Sequence, residues 1–228
     1  MKQLLILLCA LFIANSVNAQ QCTEIFPLTN NATWEVYNYD AKGKFDSSAF
    51  YKVKSLSENN GEIIAIVTST MKDNKGKEIS TFDMEMKCTD DAFYIDMSSF
   101  LINNQSMQMP DVDIKMGGDF MELPKNLTTG TDLKDASIEA EVESGGVGFM
   151  KMSVDIYDRK VIANEKVTVP AGTFDCAVIS QNSKMKMMVS IQSSSKTWYA
   201  KEVGMVRNES YNKKGKLVGY SELNKISK

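Results

Sequence analysis

The 228-residue chain, at 25.4 kDa, fits one domain or at most two small ones. Its 43% hydrophobic and 24% charged content is that of an ordinary globular protein, which excludes intrinsic disorder, collagen-like repeats and coiled coil as the main architecture. A net charge of -3 implies no broad basic face, so nucleic acid is not an expected partner, and the absence of histidine excludes Ser-His-Asp and Cys-His catalysis, His-ligated zinc and histidine pH switching.

The chain opens with Met1-Lys2, the apolar run Leu4 to Ile13, and then Val17-Asn18-Ala19. This order of a positive start, a short apolar stretch and small residues predicts a secretory signal peptide over residues 1–19, cleaved after Ala19. The run is too short to span a bilayer, and no later segment is apolar for long enough, so no membrane span is expected. Cys22 follows Gln20-Gln21 and Cys9 follows Leu7-Leu8, neither of which suits a lipid-accepting cysteine. A free protein of the periplasm or the exterior is expected, with 20–228 as its single β domain.

Cys22, Cys88 and Cys176 remain after cleavage. In an oxidising compartment one pair and one leftover thiol fit, and sequence does not choose among the three pairings. Equally, they fit as buried, inert small hydrophobes. No histidine stands ready to activate a catalytic thiol.

A repeated turn then organises the chain. Asp40-Ala41-Lys42-Gly43-Lys44, Asp73-Asn74-Lys75-Gly76-Lys77 and Asn212-Lys213-Lys214-Gly215-Lys216 share one pattern. Asp or Asn accepts backbone N–H bonds from its own turn, and Gly takes the positive φ that closes a hairpin loop. Asn59-Asn60-Gly61 and Pro170-Ala171-Gly172 add two more turns.

Strands are predicted between them. Thr33 to Asp40, Ser48 to Leu56 and Glu62 to Lys72 come first, the last apolar on both faces. Thr81 to Cys88 alternates apolar Phe82, Met84, Met86 and Cys88 with polar residues, and Phe93 to Met97 follows. From Ser98 to Gly130 the alternation is lost among Asn103, Asn104, Pro110, Gly117, Gly118 and Pro124, so residues 98–130 are predicted to form an irregular insert or lid. Strands resume at Ser137 to Val142, Met150 to Tyr157, Glu165 to Val169, Phe174 to Ile179, Met185 to Ile191, Thr197 to Asn208 and Leu217 to Leu223. The expected fold is all-β: a single antiparallel, strongly curved sheet of roughly ten strands, a half-barrel or barrel that hides its apolar face.

Methionines recur as Met-x-Met at Met84/Met86, Met107/Met109, Met150/Met152 and Met185/Met187, which in a strand puts both thioethers on one face. They can fill an irregular core, or line a flexible apolar cavity for a lipid or similar ligand. Cu(I) capture by thioethers fits poorly, because most pairs are strand-embedded and His is absent. Met107, Met109, Met150 and Met152 are the candidate ligand contacts.

Other chemistry is weak. Asp111 to Glu122 has the length of an EF-hand loop, but Lys115 and Met116 stand where an oxygen ligand and a glycine are needed, so no metal is expected. Asp90, Asp91 and Asp96 read as turn residues rather than a hydrolytic carboxylate pair. No nucleophile-elbow, P-loop or dinucleotide motif is present, and Gly145-Gly146-x-Gly148 reads as a loop. Trp34, Tyr37, Tyr39, Trp198 and Tyr199 read as half-buried strand aromatics. No catalytic residue and no cofactor are expected.

Several segments together resemble a known family. They are Ala32-Thr33-Trp34 with Tyr39 to Lys44, Met86-Lys87-Cys88 with Ile95-Asp96-Met97, and Glu122-Leu123-Pro124 with Gly130 and Leu133. Val169 to Phe174 with Cys176, Trp198-Tyr199-Ala200 with Val203 to Val206, and Gly215-Lys216-Leu217 complete the set. The sequence is similar here to the TapB-like group of secreted Bacteroidota proteins, built on a domain of unknown function. That resemblance implies an exported, mostly β protein, with a curved sheet like that of periplasmic lipoprotein carriers, and brings no activity or catalytic residue. The expected function is non-enzymatic binding or carriage of an apolar ligand such as a lipid; the alternative is a cell-envelope accessory protein with a filled core and a protein partner.

Overall fold

In the computed structural model, residues 24–59, 61–98, 113–144 and 147–228 are described. They form strands β1 (Thr33–Asp40), β2 (Phe45–Asn59), β3 (Glu62–Asp73), β4 (Glu78–Cys88), β5 (Ala92–Asp96), β6 (Asp113–Gly118) and β7 (Phe120–Pro124). The chain continues as β8 (Asp132–Leu133), β9 (Ala136–Ser144), β10 (Val147–Val169), β11 (Gly172–Lys186), β12 (Ser190–Ala200), β13 (Gly204–Asn212) and β14 (Leu217–Ser227). All belong to one sheet in the order β6-β9-β10-β11-β12-β13-β14-β1-β2-β3-β4-β5-β7, with β8 paired to β10 off that path. Every pairing is antiparallel, as alternating strands joined by tight hairpins require.

The repeated turns fold as their residues dictate. Asp40 Oδ1 accepts from the N–H groups of Lys42 and Lys44 at 2.8 and 2.9 Å, and Gly43 sits at φ 80°. Asp73 and Asn212 make the same pair of bonds to Lys75 and Lys77, and to Lys214 and Lys216. These turns close the β1–β2, β3–β4 and β13–β14 hairpins, so register places all of them, with the β11–β12 turn, at one end of the sheet.

The sheet is nearly closed into a barrel, and the chain itself makes the closure. Its two edge strands, β6 and β7, are consecutive in sequence with only Asp119 between them. The Asp119 N–H donates to Ser137 O at 2.8 Å, after which the strand leaves β9 and pairs with β5. A buried side chain reinforces this seam. Arg159 follows Asp158, whose φ of 53° belongs to the bulge between Tyr157 and Lys160. Its guanidinium donates to the backbone carbonyls of Lys134 and Glu122 and, through Nε, to Gln181 Oε1. On the outside, Lys134 Nζ adds an ion pair to Glu122 at 2.7 Å.

Inward-facing positions of the strands make the core, among them Trp34, Val36, Val67, Met84, Met86, Met121 and Met152. One end of the barrel is filled by residues 24–32: Ile25, Phe26 and Leu28 are buried, and the Phe26 ring stacks on Phe93 with centroids 4.6 Å apart. The long β10–β11 hairpin reaches β14, where the Ala171 N–H donates to Leu223 O at 3.2 Å, and its Val169 joins the core.

The structure corrects three expectations. Fourteen strands are present among the described residues, not roughly ten. The 98–130 segment is not irregular throughout, since β6 and β7 lie within it; Gly118 reads as a breaker, yet a Cβ there would meet Ile138 Cα and Ser137 O at 2.6 Å, so it is a glycine of close strand approach. Residues 99–112 of that segment lie outside the described residues. Finally, 185–191 and 197–208 are not single strands: each crosses a hairpin turn, at 187–189 and at 201–203, between two strands.

Candidate functional site

The interior holds a cavity of about 360 Å³. Its apolar wall comes from alternate positions of adjacent strands: Trp34 and Val36, Ala49 and Tyr51, Met71, and Phe82, Met84 and Met86. Ile95, Met121 and Met205 continue the wall, and Phe26 closes its floor. Along β4, exposure rises from buried Met86 and Met84 to half-exposed Phe82; along β1 it rises from Trp34 and Val36 to Asn38. The cavity therefore becomes accessible toward the Asx-Gly-Lys turns.

Polarity follows the same gradient. Trp34 stacks on Tyr51, centroids 5.2 Å apart, in the apolar part. Nearer the accessible side lie Asn38, Gln181, Thr197, Asn208 and Ser221. Ser221 Oγ donates to Asn38 Oδ1 at 2.7 Å, Asn38 Nδ2 donates to Ser47 Oγ at 3.1 Å, and Thr197 Oγ1 donates to Asn208 Oδ1 at 2.9 Å. Gln181 is held by Arg159 Nε, the others by these bonds, and all five present neutral hydrogen-bonding atoms.

The titratable groups are poised for packing. Burial pushes the Tyr199 phenol up to about 12, with the Arg159 charge opposing, so it stays neutral. Burial likewise raises Tyr51, against a hydrogen bond with Ser69. Burial pushes the Cys176 thiol up to about 11, aided by the charges of Asp175 and Glu165, which leaves it protonated and inert. Among the described residues no group of three or more His, Cys, Asp or Glu side chains could hold a metal ion.

The residues singled out by their spacing in the sequence fall in different places. Met152 is buried in the core but does not line this cavity, and Met150 lies in β10. Met107, Met109 and Cys22 lie outside the described residues. Cys88 is disulfide-bonded, while Cys176 is free and buried, so neither pairing that uses Cys176 forms. Asp96 accepts from the Ser98 N–H at 2.8 Å as a turn carboxylate does. The cavity instead gathers Met71, Met84, Met86, Met121 and Met205. Of these, Met84 and Met86 carry the alternation signal; Met71, Met121 and Met205 stand singly, and only strand register brings them together.

Two solved structures share this architecture. One, from Bacteroides fragilis NCTC 9343, is of a protein assigned as exported with a YmcC-like fold; it is 25% identical, with a TM-score of 0.73, covering 91% of this chain and 100% of its own. The other, from Parabacteroides distasonis ATCC 8503, is of a protein assigned as a lipoprotein; it is 27% identical, with a TM-score of 0.74, covering 91% and 100%. No curated protein matches the chain. No helix among the described residues is long and apolar enough to cross a membrane. The family described as DUF3108-like matches residues 29–223, and the chain belongs to that family.

Proposed function

We propose that this is a non-enzymatic extracytoplasmic protein that holds an apolar small molecule, such as a lipid, inside its barrel. The observation that carries the reading is the 360 Å³ cavity walled by methionine and aromatic side chains. Close-packed interiors hold few voids larger than a water, whereas small-molecule sites start at about 300 Å³. Unbranched methionines let such a wall repack around chains of different shape. The neutral polar side chains at the accessible side suit the head of an amphiphile whose tail lies against Trp34 and Met84. This supports carriage over an accessory protein with a filled core.

Export fits the two solved relatives, assigned as exported and as a lipoprotein, together with the signal-like residues 1–19. Within the family, the ordered segments from Ala32 to Leu217 favour the TapB-like group. The test is solvent extraction of the purified mature protein followed by mass spectrometry, paired with fluorescent fatty-acid binding. An Ala49→Phe variant, which fills the cavity, should lose the bound molecule and keep the fold. Binding equal to that of the parent protein would refute the reading.

A further inference from the structure

The end of the barrel that carries the Asx-Gly-Lys turns has a composition unlike the rest of the molecule. Along the sheet, the β11–β12, β13–β14, β1–β2 and β3–β4 hairpins follow one another, and all turn at this end. Residues 40–44, 73–77, 184–190 and 212–216 contain nine lysines and two aspartates, within a chain of net charge -3. Both aspartates, Asp40 and Asp73, are turned onto their own backbones as N–H acceptors. Lys42, Lys44, Lys75, Lys77, Lys213, Lys214 and Lys216 are all exposed around them.

The fourth hairpin breaks the pattern. Its turn is Met187-Met188-Val189, with no Gly, Asn, Asp or Pro. Turns favour those residues because they accept positive φ or bond their own backbone, so three apolar residues at a tip are not explained by turn chemistry. Met188 is 91% exposed, Val189 71% and Ile191 58%. Val218, just beyond the β13–β14 turn, is 51% exposed. Apolar side chains so exposed lose free energy in water unless something apolar receives them.

We infer that this end docks on a lipid bilayer bearing anionic headgroups, with Met188 and Val189 entering the interface and the turn lysines meeting the phosphates. A bilayer matches both halves of the surface at once: charge on a ring of flexible cations, and an apolar layer just beneath for a protruding tip. A folded acidic protein would match the lysines but would need its own socket for a single hairpin tip. The inference does not rest on the cavity, although docking here would set the cavity's accessible side against the membrane.

The experiment is co-sedimentation of the mature protein with vesicles of phosphatidylcholine alone, or with about 30 mol% phosphatidylglycerol, at about 0.1 M and 0.5 M NaCl. Binding to the anionic vesicles at low salt is expected, with a loss of at least tenfold at high salt or on neutral vesicles. Met188→Asp with Val189→Asp should weaken binding at least tenfold, and so should Lys213→Gln, Lys214→Gln and Lys216→Gln together. All five positions are exposed, so thermal unfolding should stay at the parent value and exclude misfolding. Absence of binding by the parent protein would overturn the inference, as would equal binding by either variant or equal binding to neutral vesicles. Fatty-acid binding by the same variants should be unchanged, which separates failure here from failure of the carrier reading.

Discussion

Arg159 Nη2 donates to the backbone carbonyl of Glu122 at 3.1 Å, and so ties β10 to the strand at the far edge of the sheet. The guanidinium is 2% exposed and is spread over two carbonyls and the Gln181 amide. Burial lowers its pKa, opposed by Tyr199, Asp135 and Glu122, and its charge is retained because the group starts so far above neutrality. Arg159→Met keeps apolar volume and removes every donor, leaving Lys134 O and Glu122 O without this partner. We expect a loss of about 3–5 kcal/mol, read from the urea midpoint. Arg159→Lys should lose less, since an ammonium can reach one carbonyl but not both. A change under about 0.5 kcal/mol for the Met variant would mean that the seam holds without this staple.

Gly204 tests the floor of the cavity. Its φ is 85°, and a Cβ would lie 2.6 Å from the Phe26 ring. Gly204→Ala therefore combines left-handed strain with overpacking, and we expect about 2–4 kcal/mol of destabilisation. Gly76→Ala has similar φ but open space around the added methyl, so only about 1 kcal/mol should be lost. Paired urea titrations of the two variants separate packing from backbone strain. Equal losses would show that Phe26 yields freely.

The sheet was legible in the sequence because its signals are local. Alternation from Phe82 to Cys88 and the Asx-Gly-Lys turns each follow from a few neighbouring residues. The seam was not legible. Arg159 acts across partners far apart in sequence, Lys134, Glu122 and Gln181, and Gly118 carries the same local signal as a loop glycine. The turn between β12 and β13 was also hidden, because Glu202 takes a φ of 58° that its type does not announce. The cavity was half legible: Met84 and Met86 announce an apolar face, but whether a face is filled or hollow depends on how strands meet across the barrel.

Acid stability should depend on the turn aspartates. Backbone N–H groups of Lys44 and Lys42 hold the Asp40 carboxyl below the usual carboxylate range, and those of Lys77 and Lys75 do the same for Asp73. A folded pKa below the unfolded one contributes stability that is complete above about pH 4 and is lost as pH falls through the folded value. Asn212 makes the same bonds without a titrating proton. Asp40→Asn with Asp73→Asn should therefore match the parent at neutral pH and show a shallower decline on acidification. Urea midpoints measured at neutral pH and at about pH 3 check this; a parallel decline in both proteins would assign acid sensitivity elsewhere.

The last expectation concerns the thiols. Of the cysteines that follow the signal-like segment, Cys88 is bonded and Cys176 is 2% exposed, with its thiol pushed up to about 11. At about pH 8 only ~1 in 1,000 Cys176 side chains is a thiolate, and burial adds a steric barrier to any reagent. Native protein comprising residues 20–228 should give no fast reaction with Ellman's reagent. In guanidinium chloride without reductant it should give one thiol, and with reductant three. Cys176→Ser should abolish the single thiol while leaving the disulfide intact by mass. It should also cost about 1–3 kcal/mol of stability, because it puts a strongly polar hydroxyl into an apolar site. A fast native reaction would show that the β10–β11 hairpin, which carries Cys176, opens locally away from the core.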